Sequence, residues 1–358
     1  MVVYLCLYAG ALYAAYLTRY LKEKKIVARI VMAGAFFVSV CRSYLMGADY
    51  ETYIRYWKSG GYNAYGWGYR ILNEVGHRIG ESYVCLAAVL NVVIFFVVLL
   101  CYQKCVAEEY FLFAILLWII NPYCYIQGSF NLLRQGCAMA ALLAASCFLG
   151  NKTEIRGKRF WQYIMFFLLL FVAAGFHKSA GVFILLIPFT MVKWNRGFHV
   201  ILLAICASVN FLAHDSAFMS LFTKYFGFEG YLTYFKSIFD IPLFAVFITC
   251  FVVFLILKYD SLFNNEKEKW YVDLYICSLS ILLLLVKNDQ AYRLYVYLFY
   301  ITIVSVTIIL KNLPARISQM MRYSYVAYYS LMFWGFLVLQ KMDHNIRYYP
   351  FTFFWQVK

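Results

Sequence analysis

YVCLAAVLNVVIFFVVLLCY, residues 83–102, decides the class of this fold. It carries no charged side chain, and Asn91 is its one strongly polar residue. At about 1.5 Å per residue, such a helix is roughly 30 Å long, the thickness of a bilayer's hydrocarbon core. Working outward from it, apolar stretches of similar kind recur at 2–19, 27–46, 110–127, 131–149, 161–176, 179–193, 198–214, 241–258, 270–287, 293–310 and 323–340. That makes about twelve expected transmembrane helices. The first stretch has no basic leader and reads as a retained membrane helix rather than a signal peptide.

Composition points the same way. The 358 residues are 65% hydrophobic and 14% charged, with a mean hydropathy of +0.70. A soluble core of this length cannot hide so much apolar surface, so lipid is the expected solvent for most of it. The net charge of +15 lies largely in short loops beside apolar segments. There, basic residues set orientation and meet anionic lipid, so the charge does not indicate nucleic acid. Eleven cysteines, without CxxC spacing and mostly inside apolar runs, suggest neither a disulfide framework nor a metal site.

Alternate connectors differ in charge. One set, from Arg19–Arg29 to Lys311–Arg322, holds eighteen of the thirty-two basic residues in short links. By the positive-inside rule that set is cytoplasmic, which places both termini outside. The outer connectors are then the long ones: 47–82, 214–240 and the tail 341–358, all rich in aromatic residues. None is large enough to fold alone, so residues 1–358 read as a single integral membrane domain.

Polar residues gather in five outer segments: Asp49–Tyr56, Asn131–Gln135, His177–Ser179, Asn288–Arg293 and Tyr348–Pro350. In the first, Tyr50, Tyr53 and Trp57 share a side if the stretch is helical, with Asp49 and Arg70 nearby. Their flat apolar faces and polar edges suit sugar rings, although an ordinary interfacial aromatic belt looks the same. In the second, Asn131, Arg134 and Gln135 open a helix. A helix N-terminus and a guanidinium fork together make a seat for phosphate or carboxylate; the alternative is an Arg snorkelling to the surface. In the third, His177 and Lys178 top a tight hairpin, and His is a candidate proton carrier unless the turn is simply polar. In the fourth, Arg293 again joins a cation to a helix start. The tail, with Tyr348 and Tyr349, is too polar to span and too aromatic to float free, so it is expected to fold back at the interface. No nucleotide cradle, zinc motif or trustworthy Ser-His-Asp order accompanies these residues.

Taken in order, the Tyr-rich stretch after the second helix, NLLRQGCAMA, HKSA, YRLYVYLFY and the closing YYPF resemble the EpsG family of bacterial polysaccharide polymerases, grouped with Wzy-type O-antigen and capsule polymerases. The likeness runs from about Asp49 to the C-terminus. It implies an all-α polytopic membrane protein with an outer-face cavity, like the GT-C membrane glycosyltransferases. It also implies an enzyme of the bacterial inner membrane that acts at the periplasmic face. The substrate would be an undecaprenyl-diphosphate-linked oligosaccharide, with membrane lipid and a chain-length regulator as candidate partners and no cofactor or metal.

Residue by residue, the likeness maps Asp49 and Tyr53, Arg134 and Gln135, His177 and Lys178, and Arg293 onto the family's motifs. Glycosyl transfer needs a stabilised leaving diphosphate, and fixed cations usually contribute most. Arg134 and Arg293, helped by Lys178, take that role here. His177 or Asp49 is the candidate base. Tyr50, Tyr53, Trp57, Arg70, Asn131, Gln135, Tyr348 and Tyr349 are the candidate substrate contacts. A flippase or transporter of lipid-linked oligosaccharide is the rival class, but it would spread charge through the depth of a central cavity. A membrane acyltransferase would place its His toward the cytoplasm.

Overall fold

The structure is a computed structural model of the chain. It describes residues 2–17, 24–43, 46–60, 66–150, 156–212, 242–263, 265–285, 294–342, 351 and 353–356. Those residues are helical almost throughout, with one isolated backbone bridge between Arg42 and Phe353 and no strand among them. The helices are α1 (Val2–Leu17), α2 (Lys24–Cys41), α3 (Ala48–Ser59), α4 (Trp67–Ile79), α5 (Tyr83–Cys105), α6 (Glu108–Ile120), α7 (Leu133–Leu149) and α8 (Arg156–Phe176). After them come α9 (Leu186–Met191), α10 (Arg196–Leu212), α11 (Pro242–Leu262), α12 (Glu266–Leu285), α13 (Phe299–Asn312) and α14 (Ala315–Met342).

The fold is that of an all-α membrane protein. Large apolar side chains face outward along whole helix faces: Val92, Phe96 and Leu100 on α5, and Phe160, Phe167 and Phe171 on α8. Spacings of four and seven residues make these continuous stripes, which lipid covers without penalty. By length and composition, Tyr83–Cys105 and Lys158–Phe176 can each cross a membrane. Glu108–Ile120 and Tyr123–Asn131 together form a third, broken candidate.

Two segments differ from the sequence expectation. The aromatic stretch 47–82 holds two helices rather than a loop, because glycines bound α3: Gly47 at φ +98° before it and Gly60 at φ +68° after it. Both are left-handed positions that other residues adopt at a steric penalty. The expected straight span 110–127 instead ends at Ile120, bends by 57° and continues as a π-helix, Tyr123–Asn131. Asn121 makes the break, its Oδ1 accepting from the backbone N–H of Tyr123 (3.0 Å) and Cys124 (3.3 Å). Pro122 follows, where a missing N–H does no harm.

Packing divides the chain into two compact units, Met1–Ile184 with Val306–Lys358, and Leu185–Ser305. At the centre of the first lies α7, packed on α5, α8 and the π-helix. Small residues along it (Gly136, Ala138, Ala140, Ala141 and Ala145) let those neighbours approach closely, as helix packing in lipid requires. In the second unit α10, α11 and α12 pack mutually.

Candidate functional site

Helix α2 carries the π-helix on one face. Ala35, Ser39 and Arg42 are spaced four and three residues apart, so they stack along a single side. The Ala35 carbonyl accepts from the Tyr125 hydroxyl (2.9 Å), Ser39 Oγ meets Ser129 Oγ (3.1 Å), and the Arg42 guanidinium donates to the Phe130 carbonyl (2.6 Å). Arg42 is only 1% exposed and also lies over the Phe130 ring at 5.0 Å. Carbonyls at the end of a helix otherwise lack donors, so a buried cation there closes the π-helix.

The next residue, Asn131, joins this end to α3. Its Oδ1 accepts the Asp49 backbone N–H at 2.8 Å, and its Nδ2 donates to Gln127 Oε1 at 3.4 Å. A Cβ at Gly47 would come within 3.0 Å of Asn131 Oδ1, a second reason for glycine there. α7 then begins with no side chain capping it, and Arg134 sits in its first turn. Gly136 crosses so close to the π-helix that a Cβ would stand 2.1 Å from the Gly128 carbonyl oxygen.

Arg134 is half-buried, and aromatic faces orient it. Its guanidinium carbon is 5.7 Å from the Tyr53 ring centre and 5.9 Å from that of Tyr69, and Nε donates to the Tyr53 hydroxyl at 3.4 Å. The two rings lie 5.5 Å apart. Cation–π contact on two rings holds a positive charge at a helix N-terminus, an arrangement suited to an anion.

His177 belongs to the same end of this unit. Tyr69 is in the first turn of α4, and the residues before it press on the end of α8: a Cβ on Gly66 would meet the Gly175 carbonyl oxygen at 2.1 Å. A Cβ on Gly175 would meet the Trp67 ring at 2.3 Å. Two residues beyond Gly175, His177 Nδ1 hydrogen-bonds Ser179 Oγ at 2.7 Å, and the His177 carbonyl accepts from Ala180 N–H. The exposed Lys178 then opens a 3₁₀ helix, Lys178–Leu185.

The EpsG family model matches residues 25–353 of the 358. This chain belongs to the EpsG family. That family is associated with polysaccharide polymerases. No curated protein and no solved structure matches the chain.

Within this EpsG-family fold, Asp49 is tied to Asn131 and Tyr53 to Arg134, with Asp49 and Tyr53 one turn apart on α3. The α4–α8 contact sets Gly66–Gly68 against Gly175 and Phe176, the residues just before His177. Gln135 is buried beside Arg134 on α7. Trp57 occupies a different place: buried, stacked on His77 at 3.4 Å, and donating from Nε1 to the Glu81 carbonyl at 3.1 Å. It locks α3 to α4. Arg70 is exposed, next to Tyr69 but a third of a turn away. Tyr50 is on α3, its side chain outside the described residues, as are Arg293, Tyr348 and Tyr349 entirely. Beyond them the tail does return: Phe351 packs on Tyr4 (5.4 Å) and Phe130 (6.3 Å), and Phe353 bridges to Arg42.

Three contributors were missed by sequence reasoning. Arg42 falls within the expected span 27–46 and stands in no motif that singles it out. Asn121-Pro122 did carry a signal, since Asn before Pro is a cap-and-start pair. The GWG of Gly66–Gly68 is meaningful only through its contact with Gly175. Among the described residues, no group of three or more His, Cys, Asp and Glu side chains could hold a metal ion.

Proposed function

We propose that this EpsG-family protein is a Wzy-type polymerase of the bacterial inner membrane, extending a glycan at the periplasmic face. A growing chain leaves undecaprenyl diphosphate and joins the non-reducing end of a new lipid-linked repeat unit. The bond from the anomeric carbon to the diphosphate oxygen breaks, and one from that carbon to the acceptor oxygen forms. The acceptor proton passes to His177 or Asp49, and undecaprenyl diphosphate departs.

The observation that carries this reading is Arg134: a guanidinium in the first turn of α7, oriented by Tyr53 and Tyr69. Charge develops on the diphosphate as the sugar leaves, and a preoriented cation stabilises it without reorganising. Lys178 and Arg293 are the additional cations assigned to the same headgroup. When His177 donates Nδ1–H to Ser179 Oγ, the lone pair resides on Nε2, the form a base requires. Tyr50, Tyr53, Asn131, Gln135, Tyr348 and Tyr349 stay assigned to the substrate, whereas Trp57 serves by fixing α3 on α4. Arg70, exposed on another side of α4 from Tyr69, is released from the substrate set.

The test is Arg134→Ala, with Arg134→Lys beside it, in cells lacking the native copy. Chain extension should fall by about 100-fold or more in the alanine variant, with protein level and insertion unchanged. Single repeat units should still reach the surface lipid. Normal-length polymer at normal abundance would overturn the proposal, and loss of the single units as well would favour a flippase.

A further inference from the structure

Helix α4 has a second face that the polymerase site does not use. Its buried side consists of Gly68, Tyr69, Asn73 and Gly76. Ile71, Val75 and Ile79 follow one another at intervals of four and stay 46%, 39% and 65% exposed. Arg70, Glu74 and Arg78, one residue behind each, are exposed alongside them. The helix is therefore apolar on two adjoining sides, one packed on protein and one bare, with a charged edge bordering the bare one.

The arginines are informative in position. Arg78 lies in the last turn, where a cation suits the helix dipole. Arg70 lies in the first turn, where the dipole disfavours it, so an external anion is the better explanation for it. Neither makes an ion pair with Glu74 among the described residues. Eight residues at 1.5 Å each separate the two by roughly 12 Å along the axis, too far to share one diphosphate. Two neighbouring phospholipid headgroups fit that separation.

We infer that α4 lies in the plane of the membrane surface, with Ile71, Val75 and Ile79 in the acyl boundary and Arg70 and Arg78 on phosphates of anionic phospholipid. This inference rests on the polymerase reading only for its purpose. Because Tyr69 on the same helix touches Arg134, docking α4 on the bilayer holds the Arg134 site at headgroup depth, where a lipid-linked diphosphate presents itself.

The full-length protein in nanodiscs tests this by hydrogen exchange over residues 67–79, which needs no activity. Protection should be higher in discs containing phosphatidylglycerol than in phosphatidylcholine alone, by up to about 30-fold for two cations at a charged surface. The double variant Arg70→Gln, Arg78→Gln should erase that difference, and Val75→Asp should lower protection in both lipids. Protection that ignores lipid charge and both variants overturns the inference. So does a dimer cross-linked through α4, since a second copy would then cover the stripe. Should Arg134→Ala leave polymer normal while the exchange pattern holds, the polymerase reading falls and the lipid surface stands.

Discussion

Two regions of this molecule gather polar groups in apolar surroundings, the first turn of α7 and the interior of the α10–α12 trio, and they do so to opposite ends. In the trio, His199 Nε2 lies 2.9 Å from Asp273 Oδ1, and the Tyr259 hydroxyl donates to the same oxygen at 2.5 Å. Trp194 stacks on the imidazole at 5.3 Å, and His199, Asp273 and Tyr259 are 0%, 5% and 2% exposed. A carboxylate so enclosed is matched by its own neighbours, and solvent barely reaches it. At α7 the cation stays half-buried, its partners include ring faces and a phenol, and the elements around it come from distant parts of the sequence. Burial of charge alone thus does not mark a site. A reachable charge with a fixed direction does.

The sharpest way to break this comparison is Gly136→Ala. Its Cβ would collide with the Gly128 backbone, which cannot swing aside as a side chain could. Polymer should be lost and thermal stability lowered together. Gly335 on α14 is the control, because a Cβ there meets nothing within 4 Å. Gly335→Ala should be neutral or gain up to about 1 kcal/mol. Equal behaviour of the two variants in polymer length would remove the argument that the π-helix crossing builds the site.

Next in size is Asp273→Ala. It strands the buried His199 and Tyr259 partners and should lower stability by about 3–5 kcal/mol, read as a fall in the thermal midpoint. Polymer formed per folded molecule should remain near normal. Asp273→Asn, which keeps an acceptor, should lose less. A normal midpoint with collapsed activity would invert the contrast between the two regions and make the trio the functional one.

Much of the fold was legible because lipid imposes a simple rule: long apolar runs become helices. Most of the expected apolar runs fall on helices among the described residues. By length and composition, though, only Tyr83–Cys105 and Lys158–Phe176, with the broken pair Glu108–Ile120 and Tyr123–Asn131, are candidates to cross a membrane. Three runs are interrupted: 110–127 bends by 57°, 179–193 divides into the 3₁₀ helix and α9, and 293–310 is broken by a turn at 297–298 before α13. The break at Asn121 escaped notice because its flanks are uniformly apolar, so hydropathy runs on while the backbone turns. Arg134 was legible as a cation at a helix start. Its two tyrosines were separable only in three dimensions: Tyr53 was named, whereas Tyr69 was hidden behind the more conspicuous Trp57 and Arg70. Arg42 was illegible for a physical reason. An Arg near the end of a span snorkels or turns inward according to whether a carbonyl awaits it, and the carbonyl of Phe130 lies eighty-eight residues away.

The smallest expected effect concerns His177. Ser179 Oγ at 2.7 Å from Nδ1 is well placed to fix one tautomer and one ring orientation. A hydrogen bond of this kind contributes about 1 kcal/mol, so Ser179→Ala should slow chain extension by roughly fivefold, with the protein's thermal midpoint unchanged. Ser179→Thr keeps the hydroxyl and should restore most of the rate. Such a pattern matches a serine that aligns a base, because a turn-forming role would move the midpoint, and an idle serine would move neither. If Ser179→Ala and wild type extend chains at the same rate, the choice of base between His177 and Asp49 falls to Asp49, whose backbone N–H Asn131 already ties to the end of the π-helix before α7.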